Sequence, residues 1–288
     1  MKHLVVVLAC LILSTAAFAS SSSLTPLFIG EIMRGNTVVA APSQSVAWSG
    51  NPAALAGQKV DGATGDVAMD NAASFATNIS GSDDAWGLSY GGTNVLKGWG
   101  IGAGYVDTDY SKGYGIGYGM PLKGLEVGVN WRRSEFDYAP SMEYASAAQA
   151  TPRSRKESLF DVGVRKVWTY GEGEGMKGVS SIAGGAVLRD ITDEIDTIVD
   201  LGVSFNFNSG FVVNVDLLDF DVFNAGVSKR FGSASEWELG AGLADGDLTL
   251  GAIYDIAKNG EPTAWRVGIA WADYDWDDVL YAGAYYKW

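Results

Sequence analysis

One pattern constrains this chain more than any other: over most of its length, apolar residues fall at every second position. Successive side chains of a β-strand point to opposite faces, so each such run reads as a strand with one apolar face and one polar or glycine face. Trp99, Ile101, Ala103 and Tyr105 are separated by Gly100, Gly102 and Gly104, and glycine again separates Tyr114, Ile116 and Tyr118. Leu125, Val127, Val129 and Trp131 alternate with Glu126, Gly128, Asn130 and Arg132. Phe160, Val162, Val164 and Trp168 alternate with Asp161, Gly163 and Arg165, with Lys166 as the one misfit. The second half repeats the pattern through Val199–Phe207, Phe211–Leu217, Phe223–Phe231, Trp237–Leu243, Leu248–Ile256 and Trp265–Trp271.

A soluble sandwich also alternates, but its apolar face favours Val, Ile and Leu. Here the chain carries 38 Gly, 10 Trp, 13 Tyr and 11 Phe, and tryptophans such as Trp131, Trp168, Trp265 and Trp271 sit toward the ends of the apolar faces. Membrane barrels place aromatic girdles at both interfaces in this way. No later run has the ~18 uninterrupted apolar residues of a membrane helix. The pattern predicts an all-β transmembrane antiparallel barrel over residues 59–288, in a bacterial outer membrane. It has about fourteen strands, counting segments near 65–79 and 179–189, with both termini periplasmic. Long connections, above all Phe136 to Glu157, are expected outside and short ones inside.

The amino terminus reads as a signal peptide over residues 1–19, with Lys2 and His3, the apolar run Leu4–Leu13, and Ala17-Phe18-Ala19 before the cleavage point. Cleavage removes Cys10 and His3, the chain's single Cys and single His. Disulfides, thiol nucleophiles, His-based triads and Cys/His zinc sites are thereby excluded, and a non-enzyme without cofactor or metal is expected. A net charge of −14 argues against nucleic acid. The expected partners are outer-membrane lipid and lipopolysaccharide, the barrel-assembly machinery and a small hydrophobic ligand.

Several local patterns take ordinary readings. Gly98-Trp-Gly100-Ile-Gly102-Ala103 matches a loose dinucleotide fingerprint, but strand follows it where that motif needs a helix. Asp273-Tyr-Asp275-Trp-Asp277-Asp278 lacks the glycine and terminal glutamate of a calcium loop. Glu126, Arg132, Asp161, Arg165, Asp200, Asp216, Arg230, Glu236, Glu238 and Arg266 occupy the polar faces and are expected to line the lumen. Glu236 and Glu238 are expected to pair with Arg230 and Arg266 rather than act as glycosidase carboxylates. The terminal Tyr281-Ala-Gly283-Ala-Tyr-Tyr286-Lys-Trp288 resembles the assembly signal of outer-membrane proteins, carried by Gly283, Tyr286 and Trp288, with Trp replacing the commoner final Phe.

One stretch stands apart. Ser49-Gly-Asn51-Pro52-Ala53-Ala-Leu55-Ala-Gly57 reads as a short capped helix: Asn51 as N-cap, Pro52 at the first helical position, Gly57 as the stop. Placed ahead of a glycine-rich barrel, Asn-Pro-Ala-Ala-Leu-Ala resembles the motif of the FadL/TodX family of outer-membrane transport proteins, of which this chain would be a short member. That resemblance implies an N-terminal hatch over residues 20–58, with Asn51, Pro52, Ala53 and Leu55 as the element that moves. It also implies a fourteen-stranded barrel and passive uptake of fatty acids or aromatic hydrocarbons. A partner-docking barrel and a small general porin are the alternatives.

Overall fold

The computed structural model describes residues 28–56, 71–80, 84–96, 99–109, 111–138, 153–170, 176–192, 197–232, 236–256, 265–274 and 277–288. The alternating runs become fourteen strands: β1(Asn71–Asn78), β2(Ala85–Leu96), β3(Trp99–Thr108), β4(Ser111–Leu122), β5(Leu125–Tyr138), β6(Arg153–Thr169), β7(Val179–Arg189), β8(Ile198–Phe207), β9(Phe211–Leu218), β10(Val222–Phe231), β11(Trp237–Ala244), β12(Asp247–Ile256), β13(Trp265–Tyr274) and β14(Asp277–Lys287). Each pairs antiparallel with its sequence neighbour, and β14 pairs back onto β1 with Gly283 opposite Ala76. The sheet therefore closes without an edge, so its backbone groups are satisfied inside the barrel.

The apolar set faces outward. Leu88, Trp99, Val129, Phe160, Leu239, Trp265 and Ile269 are all exposed on the barrel surface. Aromatics form two belts on that surface. At the end holding Asn71 and Trp288, Trp237 packs on Tyr254 and Trp265 on Tyr286, each with ring centroids 4.6 Å apart, and Tyr286 stacks on Trp288. Toward the other end, Trp86 packs on Tyr105 and Tyr114 on Trp131. The misfit Lys166 faces outward too, with its Nζ 5.2 Å from the centre of the Trp168 ring. That cation–π contact lets the ammonium reach the belt along its apolar stem.

The turns follow the expected asymmetry only in part: the longest connection, between β5 and β6, lies opposite the termini as expected. Tight hairpins occur at both ends: Lys123-Gly124 near the terminal end and Asp245-Gly246 at the opposite one, all four residues with positive φ. Paired left-handed residues match the twist of adjoining strands, which explains the Asp-Gly choice. Conversely, connections 170–178 and 257–264 lie at the terminal end. The Phe136–Glu157 loop is also shorter than expected, since β5 runs to Tyr138 and β6 starts at Arg153. Cross-strand charge pairing extends this hairpin: Lys156 Nζ lies 3.0 Å from Glu135 Oε1 on the partner strand.

Residues 28–56 run inside the barrel. They hold a four-residue helix, α1(Ile29–Ile32), and two 3-10 turns, Gln44–Val46 and Pro52–Ala56. The expected α-type helix at Asn51 is therefore a 3-10 turn. Ala54 N–H bonds to the Asn51 carbonyl, three residues back (3.0 Å), and Asn51 Oδ1 caps the Ala53 amide (3.1 Å). A segment this short gains little from α propagation, and the tighter turn satisfies its amides locally. The expected signal peptide, Gly57, Gly98 and the midpoint of the 273–278 acidic run lie outside the described residues.

Candidate functional site

The lumen is built from the alternate positions of the strands, and what those positions carry differs around the barrel. On β5 to β9 they include a set of paired charges. Arg132 Nε bonds to Asp161 (2.8 Å), and Arg165 Nη1 to Glu126 (2.8 Å). Arg189 bonds to Asp200 and lies 3.5 Å from Asp161. All of these groups are buried, so each charge is retained only because its partner sits beside it. On β10 to β13 a second cluster joins Arg230 and Arg266 to Glu238 and Asp255. Glu238 thus pairs as expected. Glu236 precedes β11 at the terminal end, where its backbone carbonyl accepts the Asp255 amide (2.7 Å).

The first cluster also holds the inner segment. Arg189 donates to the carbonyls of Ser49 (3.0 Å) and Gly50 (3.2 Å), Arg165 to that of Ala40 (2.6 Å). Asp216 Oδ2 accepts the amides of Val38 (2.6 Å) and Val39 (2.8 Å). Asn51, fully buried, completes the arrangement. Its Nδ2 donates to the carbonyl of Val39 within the segment (2.8 Å) and to that of Val164 on the wall (3.2 Å). One amide therefore folds the segment on itself, caps its turn and ties it to β6.

The wall of β3 and β12 to β14 meets the segment mainly through apolar side chains, with one hydrogen bond from the Gly30 amide to the Tyr285 hydroxyl (2.7 Å). Ile29, Ile32 and Met33 of the segment cluster with Val106, Ile253, Ala270, Ala272 and Val279 of β3 and β12 to β14. Trp48 and Leu55 form a further buried group with Ala47. Wall glycines make room for these chains. A Cβ on Gly100 would lie 1.7 Å from the Leu55 carbonyl oxygen, and one on Gly163 2.1 Å from Asn51 Oδ1. The glycine face of the strands is thus the seat of the inner segment, with Pro52 and Ala53 pressed on Gly128.

Of the residues picked out in the sequence, Asn51, Pro52, Ala53 and Leu55 meet the wall together, and Glu126, Arg132, Asp161, Arg165, Asp200 and Asp216 gather around the segment. Gly283 lies beneath Ile29, whereas Tyr286 and Trp288 face outward into the aromatic belt. Arg189, the best connected group, was missed. It ends a strand whose other inward positions, Ser181, Ala183, Gly185 and Val187, are small or apolar, so alternation gave no polar face to place it on. Asp255 and Asn130 did lie on polar faces, and their position alone could have found them. Asn130 donates to the Trp48 carbonyl.

Among solved structures, the toluene transporter TodX of Pseudomonas putida superposes with a TM-score of 0.54 at 12% identity, covering 89% of this chain and 96% of that one. Its fold is TodX-like. The Ralstonia pickettii toluene transporter TbuX gives a TM-score of 0.51 at 8% identity, covering 93% of this chain and 100% of that one. A TodX deltaS2S3 mutant, described as a monoaromatic hydrocarbon channel, gives 0.50 at 12% identity, covering 90% and 97%. No family model matches the chain, and no curated protein matches it. The TodX-like barrel agrees with the resemblance read from Asn-Pro-Ala, which the structure places against the lumen wall.

Proposed function

We propose that this chain is an outer-membrane channel for small hydrophobic molecules, of the fatty-acid or aromatic-hydrocarbon class, in which residues 28–56 act as a hatch. The observation that carries the reading is the two-sided seating of that segment. One side packs mainly on apolar side chains of β3 and β12 to β14; the other is held by hydrogen bonds and charged groups of β5 to β9. A filled lumen of this width is not an open aqueous pore, and the apolar side chains suit the hydrocarbon part of a hydrophobic permeant. The transport roles of the similar channels point the same way. Lipid and lipopolysaccharide would surround the aromatic belts, and β14 would be the segment read by the assembly machinery.

Proteoliposome swelling tests the hatch. The intact protein should pass little general solute, and deletion of residues 28–56 should raise the leak several-fold. A wide leak through the intact protein contradicts the reading. A second reading, a barrel that docks a partner and never opens, draws on the charged fastening of the segment. It predicts no ligand uptake by the intact protein.

A further inference from the structure

The ends of β3 to β6 away from the termini place charge on the outward face of the barrel. Lowest on that face, Trp131 pairs across strands with Ile116 and Phe160. The next row joins Tyr105, Tyr114, Arg133 and Ser158 as successive cross-strand partners. The row beyond it joins Asp107, Lys112, Glu135 and Lys156. Directly paired residues share one face of a sheet, so apolar wall, aromatic belt and charge follow in order on a single outward surface.

Three cations stand side by side there. The side chains of Lys112 and Lys156 are each 52% exposed, and that of Arg133 is 35% exposed. Two acids space them: Lys112 Nζ lies 3.7 Å from Asp107, while Glu135 serves both Arg133 (3.6 Å) and Lys156 (3.0 Å). An ammonium has three donors and a guanidinium five, so these carboxylates fix the cations without saturating them. The sector is local. Among the described residues, no other lipid-facing strand position at this level carries Lys or Arg, and on β13 and β14 the corresponding pair is Asp273 opposite Asp278. The whole chain has 34 acidic residues against 20 basic ones. Three cations against two acids on four neighbouring strands reverse that balance.

We propose that β3 to β6 carry a binding site for a phosphorylated lipid of the outer leaflet, in which Lys112, Arg133 and Lys156 hold the lipid phosphates. Lipopolysaccharide has the matching chemistry, with phosphates at headgroup level above several acyl chains, which would lie along Ile116, Trp131 and Phe160. Charge-assisted hydrogen bonds to phosphate are stronger than neutral ones, and anionic headgroups attract basic side chains at a membrane surface. The site rests on the outer-membrane placement proposed above, with this end outward, and not on what the lumen passes.

Native mass spectrometry of the delipidated protein in detergent tests it, with bisphosphorylated lipid A as the probe and dephosphorylated lipid A as the control. The phosphorylated lipid should bind about tenfold more tightly, as several exposed ion contacts acting together give, and added salt should shrink the gap. Equal binding of the two lipids by the unaltered protein overturns the proposal and needs no variant. Lys112→Gln/Arg133→Gln/Lys156→Gln should weaken binding of the phosphorylated lipid by a similar factor. Lys166→Gln/Lys229→Gln, which removes outward cations near the terminal end, should leave it unchanged. No fall in the first variant, or an equal fall in both, also overturns the proposal. Placement is read separately: in intact cells an impermeant maleimide should label Ser111→Cys in a Cys10→Ala background, since Ser111 starts β4 at this end. Failure to label overturns the placement, and the site with it, whatever the purified protein binds.

Discussion

Arg189 is where the chemistry of the lumen is most concentrated. Its guanidinium binds Asp200, approaches Asp161 and holds two carbonyls immediately before Asn51. A planar fork of five donors suits this task in a way that the point charge of lysine does not. Arg189→Met leaves Asp200 without its cation and Asp161 with Arg132 alone. Breaking a buried pair from one side typically costs about 3–5 kcal/mol, so the urea midpoint of the lipid-reconstituted barrel should fall clearly. Arg189→Met with Asp200→Asn should recover part of that loss. An unchanged midpoint in the single variant would mean that the cluster is not holding the segment.

At the scale of elements, the strands were legible and the seating of the inner segment was only half so. Period-two alternation located the strands because membrane and lumen demand opposite chemistry on the two faces. β7 shows where this fails. With small and apolar residues on its inner face, the sequence carries no contrast until Arg189. The glycines had a visible position but a hidden purpose, since only the folded chain shows the Leu55 backbone lying over Gly100. Loop lengths misled because charge pairs such as Glu135–Lys156 extend a hairpin that hydropathy alone would end early. The seating yields a direct expectation. Gly100→Val should displace the 3-10 turn Pro52–Ala56 and raise solute leak, whereas Gly184→Ala, whose added Cβ would meet only Trp168 at 3.4 Å, should not. Equal leak in the two variants would separate the glycine face from the seating of the turn.

For the whole molecule, the proposed channel requires an inner segment that is both fastened and removable. The fastening is charge-assisted against β5 to β9 and mainly apolar against β3 and β12 to β14, where the Gly30 amide also bonds to the Tyr285 hydroxyl. On that proposal a hydrophobic permeant would compete for the apolar side, and the charged side would serve as the hinge. Ser45 of the segment and Ser74 of β1 offer a means of locking it, because their hydroxyl oxygens lie 3.0 Å apart. Near-isosteric replacement of both by cysteine places the sulfurs within reach of a disulfide bond. The decisive measurement is uptake of a radiolabelled aromatic hydrocarbon or fatty acid by proteoliposomes holding Ser45→Cys/Ser74→Cys in a Cys10→Ala background, before and after reduction. A moving hatch predicts uptake abolished in the oxidised protein and restored by reductant. Equal uptake in both states would contradict it.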